Sequence, residues 1–180
     1  PLYGNLLAGK PFTVNYAMGW TGDIFGENDV LGADPTTFGL TNGKRGNNAS
    51  YTPWSSFAIV EGKDLEFIVN LDKPTEVRKV VFGSLFNPAM RMLPAGGIAV
   101  EVSADGQQYT QIAEKTLKHD CPETGRIAFT DSIEFEPAQA TFLKVKIKNG
   151  GTLRNGVNFE KNNGPEVIPA ELWIDEIEAY

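Results

Sequence analysis

Two short stretches carry oxygen donors in a pattern that suits a hard cation. Leu40-Thr41-Asn42-Gly43-Lys44-Arg45-Gly46-Asn47 is a glycine-punctuated polar loop with an amide oxygen at Asn42 and many carbonyls. Trp173-Ile174-Asp175-Glu176-Ile177 reads as a closing strand able to return one carboxylate, Glu176, to that loop. Oxygens from a tight loop together with one distant carboxylate are what Ca²⁺ takes as ligands. Asn-Gly is also the commonest hairpin turn, so an ordinary turn beside an edge strand is the competing reading.

Sugar recognition is the second chemistry the side chains suggest. It needs an aromatic face for the C–H side of a pyranose and charged or amide groups that reach the hydroxyls. Tyr51 and Trp54 follow the polar loop, Arg91 and Met92 sit in an apolar-rich stretch, and Arg154, Asn155, Asn158 and Phe159 sit near the end. Trp20 and Phe25 lie earlier in the chain. Trp54 and Trp173 have a competing reading as core residues, because a buried tryptophan contributes a large apolar area. Arg91 and Arg154 belong to no strand pattern, which makes them the better hydroxyl partners.

Catalysis by this chain alone is not expected. Glycoside hydrolysis needs two carboxylates facing one another across a cleft. Asp23, Glu27, Asp29, Asp34, Glu160 and Glu166 are loop acids with no spacing that singles out a pair. His119 is the one histidine, beside Asp120 and Cys121, so zinc hydrolysis and Ser-His-Asp chemistry both lack parts. No glycine loop leads into a helix to cradle phosphate.

The bulk properties narrow the partners. A net charge of -7 over 180 residues argues against nucleic acid and against an anionic membrane surface. No run reaches the eighteen or so apolar residues of a membrane span. The lone Cys121 excludes an internal disulfide and reads as a spare thiol. The chain opens at Pro1 without a methionine or signal peptide, as a processed or excised module would.

The elements that must position these residues are strands. Leu65, Phe67, Val69 and Leu71 alternate until Pro74; Val80 and Phe82 form a second run, with Val77 out of step and marking a bulge. Ile98, Val100 and Val102 lead into Asp105-Gly106, which predicts a type I′ hairpin with Tyr109 and Ile112 on the returning strand. Ile127 with Phe129, Ile133 with Phe135, and Leu143, Val145 and Ile147 complete the set. Lys144, Lys146 and Lys148 alternate with the last run and read as a solvated outer face rather than a basic patch. Short strands with turn signals between them predict an antiparallel β-sandwich, one domain over residues 1–180. Its core should include Phe67, Val69, Val100, Val102, Val145 and Ile147, with Asn5 to Lys10 beside Glu171 to Ala179. Three long irregular stretches, Trp20 to Tyr51, Leu85 to Gly97 and Gly150 to Ala170, are candidates for function.

The order of several motifs resembles a family. Asn5-Leu6-Leu7-Ala8-Gly9-Lys10-Pro11, the Leu-Thr-Asn-Gly-Lys-Arg-Gly loop, and Asp64-Leu65-Glu66-Phe67-Ile68-Val69-Asn70-Leu71 resemble a discoidin domain, the coagulation factor five/eight type C family. Val100-Glu101-Val102-Ser103-Ala104-Asp105-Gly106 with Tyr109, Thr141-Phe142-Leu143-Lys144-Val145, and Asp175-Glu176-Ile177 continue the resemblance over almost the whole chain. It is closest to the family 32 carbohydrate-binding modules appended to bacterial glycoside hydrolases. The resemblance implies a jelly roll of about eight strands, a structural Ca²⁺, and a glycan site among the loops at one end. Carried over position by position, it makes Leu40 and Lys44 carbonyl ligands, Asn42 and Asn47 side-chain or backbone ligands, and Glu176 the carboxylate. Asn42 stands where the family usually has Asp, and Asn47 where it has Thr or Ser. The lost charge weakens Ca²⁺ binding, and Na⁺, water or the Lys44 ammonium are the alternatives.

The expectation is a non-catalytic carbohydrate-binding module that targets an attached or partner glycoside hydrolase to glycans. Its location would be extracellular, cell-surface or periplasmic, in a bacterium. Tyr51, Trp54, Arg91, Arg154, Asn155 and Phe159 would be the ligand-binding residues. The alternative is a structural domain that packs against a catalytic domain or protein partner without binding sugar.

Overall fold

The structure, a computed structural model, describes residues 4–15, 39–49, 54–56, 63–154 and 167–180. Nine strands form among them: β1 Phe12–Val14, β2 Ser55–Ser56, β3 Leu65–Phe86, β4 Gly97–Ser103, β5 Thr110–Thr116, β6 Ile127–Lys148, β7 Thr152–Arg154, β8 Val167–Pro169 and β9 Trp173–Ala179. The one helical turn described is the 3-10 turn Pro88–Met90. The chain is all-β and antiparallel, as the alternation predicts.

β3 and β6 organise everything else. Each is 22 residues long, which would span roughly 70 Å if straight, beyond the roughly 40 Å across a compact domain of this size. They therefore bend, and they bend together. Their antiparallel register breaks between Asn70 and Thr75, where Asp72 takes a φ of 72°. Before the bend, β3 pairs with the second half of β6 and with β1; β4 and β5 continue from β6 on that side. After it, β3 pairs with the first half of β6 and with β9, and β2 closes the edge. One pair of ribbons thus supplies both layers of the sandwich. Pro74 ends the first apolar run, as the sequence suggests, yet the ribbon resumes at once instead of yielding a separate strand.

The two layers bury a shared core. Phe67, Val69, Val145 and Ile147 from one layer meet Val80, Phe82, Ile133 and Ile177 from the other. Val100 is fully buried, whereas Val102 is only partly so, because it lies at the end of β4 where the layer opens. The Asp105-Gly106 turn is also looser than a type I′ hairpin. Only Gly106 has positive φ, and residues 104–109 separate β4 from β5. Asp105 instead accepts the Gln107 and Gln108 amides, at 2.8 and 2.9 Å, and supplies the turn with its side chain. The expected bulge after Val77 is present. The chain ends meet: the Leu6 amide donates to the Ala179 carbonyl at 2.9 Å, and the Ala179 amide donates to Asn5 Oδ1 at 3.1 Å.

Register sorts the connections into two ends. Leu65, Phe86, Gly97, Thr116, Ile127 and Lys148 all finish their strands at one end. That end carries residues 87–96, 117–126, 149–154 and 167–172. The bends, the 104–109 turn and Tyr180 lie at the other.

Candidate functional site

β9 breaks the alternation rule: all seven of its residues are buried, including Asp175, Glu176 and Glu178. Carboxylates are rarely enclosed unless paired, so the polar loop beside β9 must supply partners. The Ile177 amide donates to the Leu40 carbonyl at 2.8 Å, which docks the loop on the strand. The Gly43 amide then donates to Glu176 Oε1 at 2.9 Å, and the Gly46 amide to Asp175 Oδ2 at 2.8 Å. Arg45 bridges Asp175 at 3.2 Å and Glu178 at 2.8 Å.

Two glycines make this approach possible. Gly43 holds φ at 79°, a left-handed conformation that disfavours other residues. Gly46 lies flat against Trp54, and a Cβ there would fall inside the indole ring. Trp54 is fully buried, with its Nε1 donating to the Asn47 carbonyl at 3.3 Å. It therefore cannot offer a face to a sugar. The expectation that Trp54 binds ligand is corrected: the glycine beside it opens a slot that only a planar ring fills, and the ring packs with Leu85, Met92 and Trp173.

One atom in this cluster stands out. Glu176 Oε2 is buried and has no hydrogen-bond partner among the described residues. Burial pushes the Glu176 carboxyl up to about 8, and the neighbouring Asp175 and Glu178 charges add to the rise against the opposing Gly43 hydrogen bond. Asp175 is also raised by burial, with Arg45 opposing it. Three enclosed carboxylates face one guanidinium. The surplus negative charge that appears when Glu176 ionises is what a bound cation would cancel.

The other sequence-derived ligands sit around it with their oxygens partly used. Asn42 Oδ1 accepts the Lys44 amide at 2.9 Å, and Asn47 Oδ1 accepts the Ala49 amide at 2.7 Å. Lys44 is exposed. Each amide oxygen thus already serves a backbone donor of its own loop. Among the described residues no group of three or more His, Cys, Asp or Glu side chains is arranged to hold a metal ion, so a cation here would depend on loop oxygens together with the one carboxylate of Glu176. Sequence reading found Glu176 but passed over Asp175, Glu178 and the bridging role of Arg45. The available signal was three acids in a seven-residue strand with no polar face.

At the loop end, Arg91 occupies the tip of the Asn87–Met92 turn with a φ of 61°. Its carbonyl accepts the Glu171 amide at 2.7 Å. Glu171 in turn accepts Trp173 Nε1 at 2.9 Å, and its carboxyl is raised by burial, with that bond and Arg91 opposing. Asn48 reaches the same end, where its Oδ1 accepts the Ala128 amide at 2.7 Å. Arg154 closes β7 opposite Val167. Its side chain, with Tyr51, Asn155 and Phe159, lies outside the described residues. The structure thus sets Arg91 and the backbone of Arg154, the last residue of β7, at one end, and neither is on the Leu40–Asn47 loop.

His119 does not team with Asp120 or Cys121. Its Nε2 meets Asp131 at 2.8 Å and its ring rests on Phe129, with centroids 4.7 Å apart. Both contacts are to β6, which carries Phe129 and Asp131. Burial raises the Cys121 thiol, so the thiolate is disfavoured. The lysine row on β6 is neutralised rather than free: Lys144 meets Glu66 at 3.3 Å, Lys146 meets Glu101 at 2.9 Å and Lys148 meets Glu114 at 2.8 Å. No helix among the described residues is long and apolar enough to cross a membrane.

No family model and no curated protein sequence matches the chain. Solved structures do. A chitosan-binding module of a chitosanase/glucanase from Paenibacillus sp. IK-5 is 17% identical with a TM-score of 0.52, covering 98% of both chains. A family 32 carbohydrate-binding module from Clostridium perfringens, in complex with GalNAc-β-1,3-galactose, is 17% identical with a TM-score of 0.51, covering 96% of this chain and 95% of that one. A fucose-binding module from Streptococcus pneumoniae is 16% identical with a TM-score of 0.52, covering 98% and 94%. The chain has the discoidin-like sandwich fold of these modules over nearly its full length.

Proposed function

We propose that this chain is a non-catalytic carbohydrate-binding module that holds an attached or partner glycoside hydrolase on its glycan outside the cell. The observation that carries the reading is the separation of roles in the fold. The buried carboxylate cluster pins the Leu40–Asn47 loop to β9, while Arg91, at the tip of a turn, and Arg154, at the end of β7, are brought to one end. Modules with this same fold are named for binding chitosan, fucose and a GalNAc-galactose disaccharide. A rigid sandwich with polar loops at one end is a scaffold on which different sugars are read by changing loops alone. The alternative, a domain that only packs on a neighbour, calls for a flat apolar patch. Among the described residues Val167 is the sole large hydrophobic that is well exposed.

In this reading Leu40, Asn42, Lys44, Asn47 and Glu176 hold a structural Ca²⁺. The unpartnered Oε2 of Glu176 supports it. When bound, the ion neutralises the cluster and fixes the loop; it takes no part in sugar chemistry. Arg91 and Arg154 donate to hydroxyls, and Tyr51 or Phe159 supplies the stacking face. Such open sites bind in the range of roughly 0.1–1 mM, because few apolar contacts offset the desolvation of hydroxyls. Screening the isolated chain on a broad glycan array, then titrating the best hit by calorimetry, tests the reading. A saturable hit supports it, and an array with no hit returns the structural-domain alternative.

A further inference from the structure

The end of the sandwich away from those loops carries a cleft of its own. Arg78, Lys79, Glu134, Phe135, Pro137 and Tyr180 line an open depression of about 270 Å³. That volume is close to the roughly 300 Å³ at which small-ligand pockets begin, enough for a single sugar ring rather than a long oligosaccharide.

The cleft is built by a bulge. In a regular strand Arg78 and Lys79 would point to opposite faces. Here the register shifts between Val77 and Lys79, and both the Arg78 and Lys79 amides donate to the single carbonyl of Tyr180, at 2.6 and 3.0 Å. Bulges re-aim side chains in this way, and they recur beside binding sites. The result is two neighbouring cationic residues lining one depression. Lys79 lies across from its register partner Glu134 and meets it at 2.9 Å; Arg78 meets Glu76 at 2.9 Å. Both pairs are largely exposed, so they open at little cost and can turn to hydroxyls.

The aromatic wall is rigid. Tyr180 is tied at both backbone and side chain: its amide donates to the Lys79 carbonyl at 2.9 Å and its hydroxyl donates to Glu178, which Arg45 holds from the other side. A planar ring fixed before the ligand arrives loses little freedom on binding.

We propose that this cleft is a second sugar site, taking one neutral pyranose ring, with Tyr180 and Phe135 against its C–H face and Arg78, Lys79 and Glu134 on its hydroxyls. A neutral ring is favoured over an acidic one because the two cations are already balanced by Glu134 and Glu76. The ligand class rests on the glycan-binding reading above, but the location does not. Two sites at opposite ends would let one module bridge two glycan strands, a gain by avidity.

The test is amide chemical-shift mapping of the full 180-residue chain titrated separately with methyl β-galactopyranoside and N-acetylglucosamine. The expected result is saturable shifts at Lys79, Phe135 and Tyr180 with a dissociation constant of roughly 1–10 mM. They should persist in Arg154→Ala, weaken about tenfold in Tyr180→Ala, and survive in Tyr180→Phe. Glu134→Ala, on the exposed rim, decides the matter if Tyr180→Ala fails to fold. Absence of saturable shifts at these amides with both sugars overturns the proposal, as does unaltered affinity in both Tyr180→Ala and Glu134→Ala. Shifts at Arg91 and Asn48 report the loop end separately, so either site can fail alone.

Discussion

Glu176 is the residue on which the cation account turns, and its chemistry fixes the sign of several outcomes. A carboxyl raised to about 8 in the folded chain stabilises the fold fully only below the ordinary glutamate range. Without a cation that contribution is lost as pH rises from that range through about 8. Thermal denaturation in chelator should therefore show stability falling over this window, with the raised Asp175 carboxyl acting in the same direction. Glu176→Gln should flatten the decline. Calcium needs the carboxylate, so its stabilisation should grow with pH over the same window. At a hundred times its dissociation constant it should add about 2.7 kcal/mol, or roughly 5–10 °C for a domain of this size. An identical melting temperature in calcium and chelator at pH 8 would remove the cation from the account. Gly46→Ala probes the same loop sterically, because the new methyl collides with the Trp54 ring. It should cost about 1–3 kcal/mol and shift tryptophan fluorescence. Glu176 was legible from its place in a short acidic strand. Trp54 was misread as a sugar-binding residue because its burial depends on the distant chance that Gly46 leaves a slot for it.

At the scale of elements, alternation was enough to place most strands and their inward faces. Leu65, Phe67 and Val69 were legible because burial on one side imposes a period of two. What could not be read was that β3 and β6 each serve both layers. Pro74 and the residues around it read as an end, and only pairing shows that the ribbon turns there and resumes. The 104–109 turn shows a related limit: Asp-Gly predicts a two-residue loop, yet Asp105 caps a longer one with its carboxylate. Asp105→Ala should lower the urea midpoint with an unchanged slope. In the shared core, Phe67→Ala should cost about 3–5 kcal/mol. Phe67 packs on Phe12 with ring centroids 5.3 Å apart and holds β1 against β3. A loss near zero would mean that the two layers do not share the core described.

For the whole molecule, the two ends have different work. In the proposed reading the loop end, with Arg91 and β7, is where a glycan is read; the Leu40–Asn47 loop lies along β9 and braces the strand. The motif order made the discoidin-like sandwich legible as a resemblance, and the fold bears that architecture out. The sugar itself was not legible, because specificity resides in irregular loops whose shape no periodicity encodes. The most direct measurement is calorimetric titration of the chain and its Arg91→Ala and Arg154→Ala variants with the best glycan found on an array. The account predicts millimolar or tighter binding by the parent chain, loss of detectable binding in Arg154→Ala and weakening in Arg91→Ala, with melting temperatures within about 2 °C of the parent. Full-strength binding by both variants would contradict it.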